Sequence, residues 1–129
     1  LGRQRNDFAT RNVTDAAGNL YVTGGSMDGN FPVTTGAFTT TAGASDRNNV
    51  VISKFAADGK SLIYSTYLGG QSSDIGAAIA LDAAGSIYVT GLTLSQNFPV
   101  TPEAYRRLPG NPGADELAGG DCFVVKLNN

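Results

Sequence analysis

Histidine and tryptophan are absent from the chain, and cysteine and methionine occur once each. Without histidine, a Ser-His-Asp or Cys-His catalytic arrangement cannot be assembled within the chain. A zinc site would have to use Cys122 and carboxylates alone, a poor donor set for that ion. A single cysteine excludes an intrachain disulfide. Charge is sparse as well: charged residues are 16% of the chain, nine basic against eleven acidic, with net charge −2 and pI near 4.8. That balance supplies no basic face for nucleic acid or an anionic membrane. Arg3, Arg5 and Arg11, and the pair Arg106 and Arg107, read as solvated surface charge. The longest weakly polar stretch, Ile75 to Leu81, is strand-length, far short of the ~20 residues a spanning helix needs. No apolar stripe with helical spacing persists beyond two turns. The chain starts at Leu1 and carries no signal-peptide pattern, which leads us to expect a processed or excerpted piece of something longer.

What the chain has in quantity is glycine, threonine and serine, the composition of a turn-rich all-β protein with short strands. It also repeats itself. Residues 1–34 align with 68–101 without a gap at an offset of 67, and 17 of those 34 positions are identical. Asp15-Ala16-Ala17-Gly18 matches Asp82-Ala83-Ala84-Gly85, and Tyr21-Val22-Thr23-Gly24 matches Tyr88-Val89-Thr90-Gly91. Asn30-Phe31-Pro32-Val33-Thr34 matches Asn97-Phe98-Pro99-Val100-Thr101. After a five-residue insertion between Pro109 and Ala118 the match resumes at an offset of 72, where Val50–Phe55 aligns with Cys122–Leu127. A β-rich repeat of this length suggests one propeller blade per copy, residues 1–67 and 68–129.

Four strands are expected in the first copy. Strand A covers Arg11–Asp15, B Leu20–Gly24, C Val50–Phe55 and D Ser61–Tyr67. In the second copy A is Ala78–Asp82, B Ile87–Leu92 and C Cys122–Leu127. The Asp58-Gly59 step between apolar runs signals the C–D hairpin. The second copy ends at Asn129, where its own Asp-Gly turn and outer strand would begin. The expected fold is therefore two consecutive four-stranded antiparallel β-propeller blades, the second lacking its outer strand, within a larger propeller or repeat assembly.

The segments Leu62-Ile63-Tyr64-Ser65-Thr66-Tyr67-Leu68-Gly69-Gly70, Asp-Ala-Ala-Gly before Tyr-Val-Thr-Gly, and Asn-Phe-Pro-Val-Thr carry a resemblance. The chain resembles the SBBP family, the bacterial seven-bladed β-propeller repeats, over nearly its whole length. The resemblance implies secreted or cell-surface proteins with structural or interaction roles and no shared catalytic residues, so no functional residue carries over. One departure is that Arg11 and Asn12 stand in the first copy where Ala78 and Ile79 stand in the second. This puts the first inner strand at a wet channel or an interface.

The repeated aromatics, Tyr21 with Tyr88, Phe31 with Phe98 and Phe38 with Tyr105, read as blade-to-blade packing rather than ligand platforms. Val22 with Val89, Ile52 with Val124 and Phe55 with Leu127 read as inter-sheet core. Cys122 aligns with Val50 and reads as a small buried apolar residue, not a nucleophile. Gly24 and Gly91 suggest a bend or bulge at a strand end. Asp15 and Asp82 are candidate calcium ligands, with oxygen donors nearby at Thr14, Asn19 and Ser86; the simpler role is to cap their own turns. Asp7 and Asp74 suit a similar corner role. Asp28, Asn30 and Asp46 are loop residues that repeat poorly. Asp115 and Glu116 sit on the inserted loop, where a carboxylate pair is badly held for acid–base work. Gly69-Gly70 and Gly119-Gly120 precede strands, so they cannot act as a phosphate loop.

Two blades cannot bury both faces of both sheets, since about three repeats are normally needed for a stable array. The expected function is a non-catalytic extracellular structural or protein-interaction scaffold. It assembles with further blades or with copies of itself, by strand complementation, into a ring or filament. The alternatives are a glycan- or ligand-binding propeller module, which the lack of tryptophan disfavours, and a section of a propeller enzyme, which rests on fold analogy alone. No cofactor is expected beyond a candidate Ca2+, no nucleic acid and no membrane span. Partners are further blades, copies of the chain, other cell-surface proteins or glycan.

Overall fold

The computed structural model describes residues 6–43, 46–107 and 120–128. Its strands are β1 (Asp7–Thr14), β2 (Leu20–Ser26), β3 (Asn49–Phe55), β4 (Leu62–Leu68), β5 (Asp74–Leu81), β6 (Ile87–Thr93) and β7 (Asp121–Leu127). They form two antiparallel meanders, β1-β2-β3-β4 and β5-β6-β7. The strand ends follow local chemistry. Both Asp-Ala-Ala-Gly turns close with a glycine at φ 84°, Gly18 and Gly85, a conformation that costs other residues strain. The β3–β4 hairpin turns at Gly59, φ 71°.

Each inner strand starts four residues earlier than the alternation of polar and apolar residues suggests, because a bulge interrupts it. The register shifts between Ala9 and Arg11 in β1, and between Gly76 and Ala78 in β5. Gly24 and Gly91 lie opposite these bulges. The irregularity therefore belongs to the neighbouring strand rather than to the end of β2 or β6. A Cβ on Gly24 or Gly91 would collide with the carbonyl oxygen of Phe8 or Ile75, so the tight approach at the bulge requires glycine.

The sheets stack face to face. The facing side of the first sheet presents Tyr21, Val50, Ile52 and Leu68, all buried. Against it the second sheet sets Ile87, Val89 and Phe123, flanked by Ile79, Leu81, Val125 and Leu127. At the closest approach, a Cβ on Gly76 would lie 2.2 Å from Thr23 Oγ1. The Thr10 hydroxyl, on the bulge of β1, donates across the sheets to the Gly76 carbonyl. A second cluster, Phe31, Val51 and Tyr67 with Val33 and Ala42, ties the long 27–48 connection to the other side of the first sheet.

The outward sides have no covering sheet. On the second sheet Leu92, Cys122 and Val124 are exposed, Val124 by 72%. This corrects the sequence expectation for Cys122 and Val124; Val22, read as inter-sheet core with Val89, likewise turns to the outward side of the first sheet, because it shares its face with Val51 and Ser53. Their counterparts Val50 and Ile52 are fully buried, but only because a sheet lies over them. Phe38 and Tyr105 are also exposed rather than packed between blades; they sit on the connections that follow β2 and β6. Arg11 and Asn12 are exposed on β1, as the polar substitution there anticipates.

Candidate interaction surface

The Asp-Ala-Ala-Gly turns place Asp15 and Asp82 as caps. One carboxylate oxygen of Asp15 accepts from the backbone N–H of Ala17 and Asn19, the other from Asn19 Nδ2 and the Tyr21 hydroxyl. Asp82 is held the same way by the N–H groups of Ala84 and Ser86 and by the Tyr88 hydroxyl. Lys126 Nζ adds an ion pair at 3.5 Å and lies over the Tyr88 ring. The Ser86 backbone hydrogen bond leads in holding the Asp82 carboxyl down to about 2. Asp15 is likewise lowered, first by the Asn19 side chain. Among the described residues no three His, Cys, Asp or Glu side chains come together.

Asp74, fully buried, closes the corner between β4 and β5. Its carboxylate accepts from Gly70 N–H at 2.8 Å and from the hydroxyls of Thr93 and Ser95. Its counterpart Asp7 has both oxygens buried without a hydrogen-bond partner among the described residues. Of the three donors to Asp74, Ser95 is replaced by Asp28, which cannot donate when ionised; Ser26, in the place of Thr93, turns its hydroxyl to the Asp28 carbonyl; and the counterpart of Gly70 is Arg3, outside the described residues. Asp115 and Glu116 also lie outside the described residues.

The most informative residues were not singled out from sequence. Tyr67 in β4 is buried, and its hydroxyl donates to the Asp28 carbonyl and accepts from Phe31 N–H at 2.7 Å. Burial pushes this phenol up, aided by the charges of Asp28 and Asp7. Ser65 and Thr66 continue the seam. Thr34 Oγ1 accepts from Ser65 N–H at 2.9 Å, and Thr66 Oγ1 accepts from Thr39 N–H at 3.0 Å. Tyr64 Oη accepts a long bond from Phe38 N–H. Ser65 also shares a hydroxyl bond of 2.9 Å with Ser53 on β3. Only the Tyr-Ser-Thr-Tyr run itself could have signalled this stitching, because the partners are mostly main-chain atoms.

In the second sheet the place of β4 is an open cleft of about 690 Å³. It runs beside β7 beneath the 98–106 connection, between Phe98, Val100 and Tyr105 on one side and Val124, Val125 and Leu127 on the other. Phe98 lies flat on Phe123, with ring centroids 4.6 Å apart. A smaller pocket of about 160 Å³ opens on the outward side of the first sheet, among Ala9, Val22, Phe31, Val51 and Ser53.

Two antiparallel meanders of matching sequence, stacked through their faces, define a protein of blade-like repeats. Residues 63–99, from β4 through the Asp74 corner and β6 to the Asn-Phe-Pro segment, match the family model of the SBBP beta-propeller repeat. The match thus bridges the two sheets. No curated protein matches the chain.

Proposed function

We propose that the chain is a non-catalytic structural or protein-interaction scaffold of propeller repeats, working at the cell exterior. Neighbouring blades or further copies complete it, with strand complementation linking them into a ring or filament. The carrying observation is that the outward side of the second sheet keeps an apolar version of the surface by which the first sheet binds its neighbour. Tyr88, Thr90, Cys122, Val124 and Lys126 stand where Tyr21, Thr23, Val50, Ile52 and Lys54 stand. Exposed apolar surface of that kind is typical of an association site. Contacts between unlike faces of this sort are heterologous, and they propagate or close into a ring according to their rotation. In this reading Asp15 and Asp82 serve as turn caps without calcium, because their oxygens are already engaged by the turn.

Light scattering on the chain, paired with intact mass spectrometry, tests the reading. Particles at multiples of 13.3 kDa, growing with concentration and reverting to single copies with Val124→Asp, are expected. A single copy at every concentration would remove self-assembly from the account.

A further inference from the structure

The connection over the cleft beside β7 keeps the turns of its counterpart in the first copy. In the first copy the connection turns through Phe31 N–H to the Asp28 carbonyl, 3.3 Å, and Ala37 N–H to the Thr34 carbonyl, 3.1 Å. In the second, Phe98 N–H to the Ser95 carbonyl is 3.3 Å and Ala104 N–H to the Thr101 carbonyl is 3.1 Å. The same turns form whether or not an outer strand lies beneath them. Little ordering is therefore left for a strand to impose when it arrives. The edge strand β7 pairs only with β6 among the described residues, and an unpaired edge is a template for strand addition.

We propose that this cleft binds an extended strand of the β4 class, antiparallel to β7. A tyrosine of that strand, donating to the Ser95 carbonyl and accepting from Phe98 N–H, fixes its register. The proposal rests on the strand-complementation reading above and names its ligand. The occupant follows from the first copy, where β4 fills the equivalent cleft. Tyr67 lies opposite Val51 there, and Leu68 opposite Val50. Transferred by the repeat, the partner tyrosine lies opposite Phe123 and the following leucine opposite Cys122. Thr101 is conserved between the copies as Thr34, so the hydroxyl that receives Ser65 N–H is present. The lining differs at several positions: Phe123 stands where Val51 does and stacks on Phe98, and one change removes a hydrogen-bond partner. Ser53, the hydroxyl partner of Ser65, is replaced by Val125. A serine of the incoming strand would lose that bond on being buried. The second cleft therefore selects a Tyr-(small apolar)-Thr-Tyr strand over the Tyr-Ser-Thr-Tyr of β4.

The test uses the 129-residue chain and a labelled nine-residue peptide with the sequence of residues 61–69, read by anisotropy. Saturable binding is expected. It weakens roughly tenfold when the peptide carries Tyr67→Phe and tightens when it carries Ser65→Ala. Register is read by oxidation. Directly opposed side chains approach within disulfide reach, and Cys122 is the only thiol of the chain. A peptide with Leu68→Cys should cross-link to Cys122 at least tenfold faster than one with Ile63→Cys, which keeps Tyr67. Absence of binding at millimolar peptide, indifference to Tyr67→Phe or Ser65→Ala, or equal cross-linking rates would each overturn the proposal. Self-assembly without peptide binding would overturn the cleft and leave the scaffold reading standing. Peptide binding by a chain that stays single at every concentration would do the reverse.

Discussion

The two sheets are built from the same sequence pattern and differ in what covers them. The first sheet turns Val50 and Ile52 toward a neighbour and buries them completely; the second turns Cys122 and Val124 to open surface. The outward sides also differ in chemistry. On the first sheet, Asn12, Thr14 and Ser53 occupy positions that in the second are Ile79, Leu81 and Val125 and face the first sheet. The first sheet's outward face thus carries polar residues at these three positions, beside the apolar Val22 and Val51, while the second sheet's outward face presents Cys122 and Val124. Burial here is a property of the repeat's neighbourhood, and sequence change has followed that neighbourhood at one end only.

The largest consequence concerns the core. Ile52→Ala should cost about 2–5 kcal/mol in chemical denaturation. Val124→Ala, its counterpart, should fall within about 0.5 kcal/mol of the parent in a single copy. Comparable losses at both sites would break the comparison. Next in size is the contact at Gly76. Gly76→Ala drives a methyl into Thr23 and should destabilise by roughly 1–3 kcal/mol. The first sheet already carries alanine at the matching position, Ala9, because nothing presses on it there.

Tyr67→Phe removes one hydroxyl that serves two main-chain groups. The expected loss is about 1–2 kcal/mol, with urea unfolding as the readout. A tyrosine in the peptide-filled second cleft should show the same loss.

The smallest effect is electrostatic. The carboxyl of Asp82 lies near 2 in the folded chain, against about 3.9 in an unfolded one. The folded state binds the proton less readily, so stability from this group is present above about pH 4 and is lost as pH falls toward 2. Asp82→Asn should flatten that part of the stability curve, as followed by thermal melts across the acid range. Asp15→Asn should act in the same direction.

Much of this organisation is legible in the repeat. The seven strands of the described residues and the turns at Gly18, Gly59 and Gly85 follow from alignment of the two copies. The starts of β1 and β5 did not, because a bulged residue at Thr10 or Ala77 breaks the period-two pattern. Burial of Val124, Cys122, Phe38 and Tyr105 was misjudged for another reason. Repetition shows which positions are equivalent, and says nothing of whether a neighbour is present to cover each copy. The Tyr67 seam was missed because bonds to backbone atoms leave no partner residue to find. The corner role of Asp74 was anticipated, whereas the buried and unpartnered state of Asp7 emerged only when its neighbours were placed.

Hydrogen exchange on the dilute chain, where copies do not meet, tests the difference between the sheets most directly. β3 and β7 occupy the same repeat position, but among the described residues β3 is paired on both sides and β7 on one. The account predicts strong protection along Asn49–Phe55, with fast-exchanging amides interspersed along Asp121–Leu127. Protection of β7 equal to that of β3 would mean that its edge is already filled, and would contradict the account.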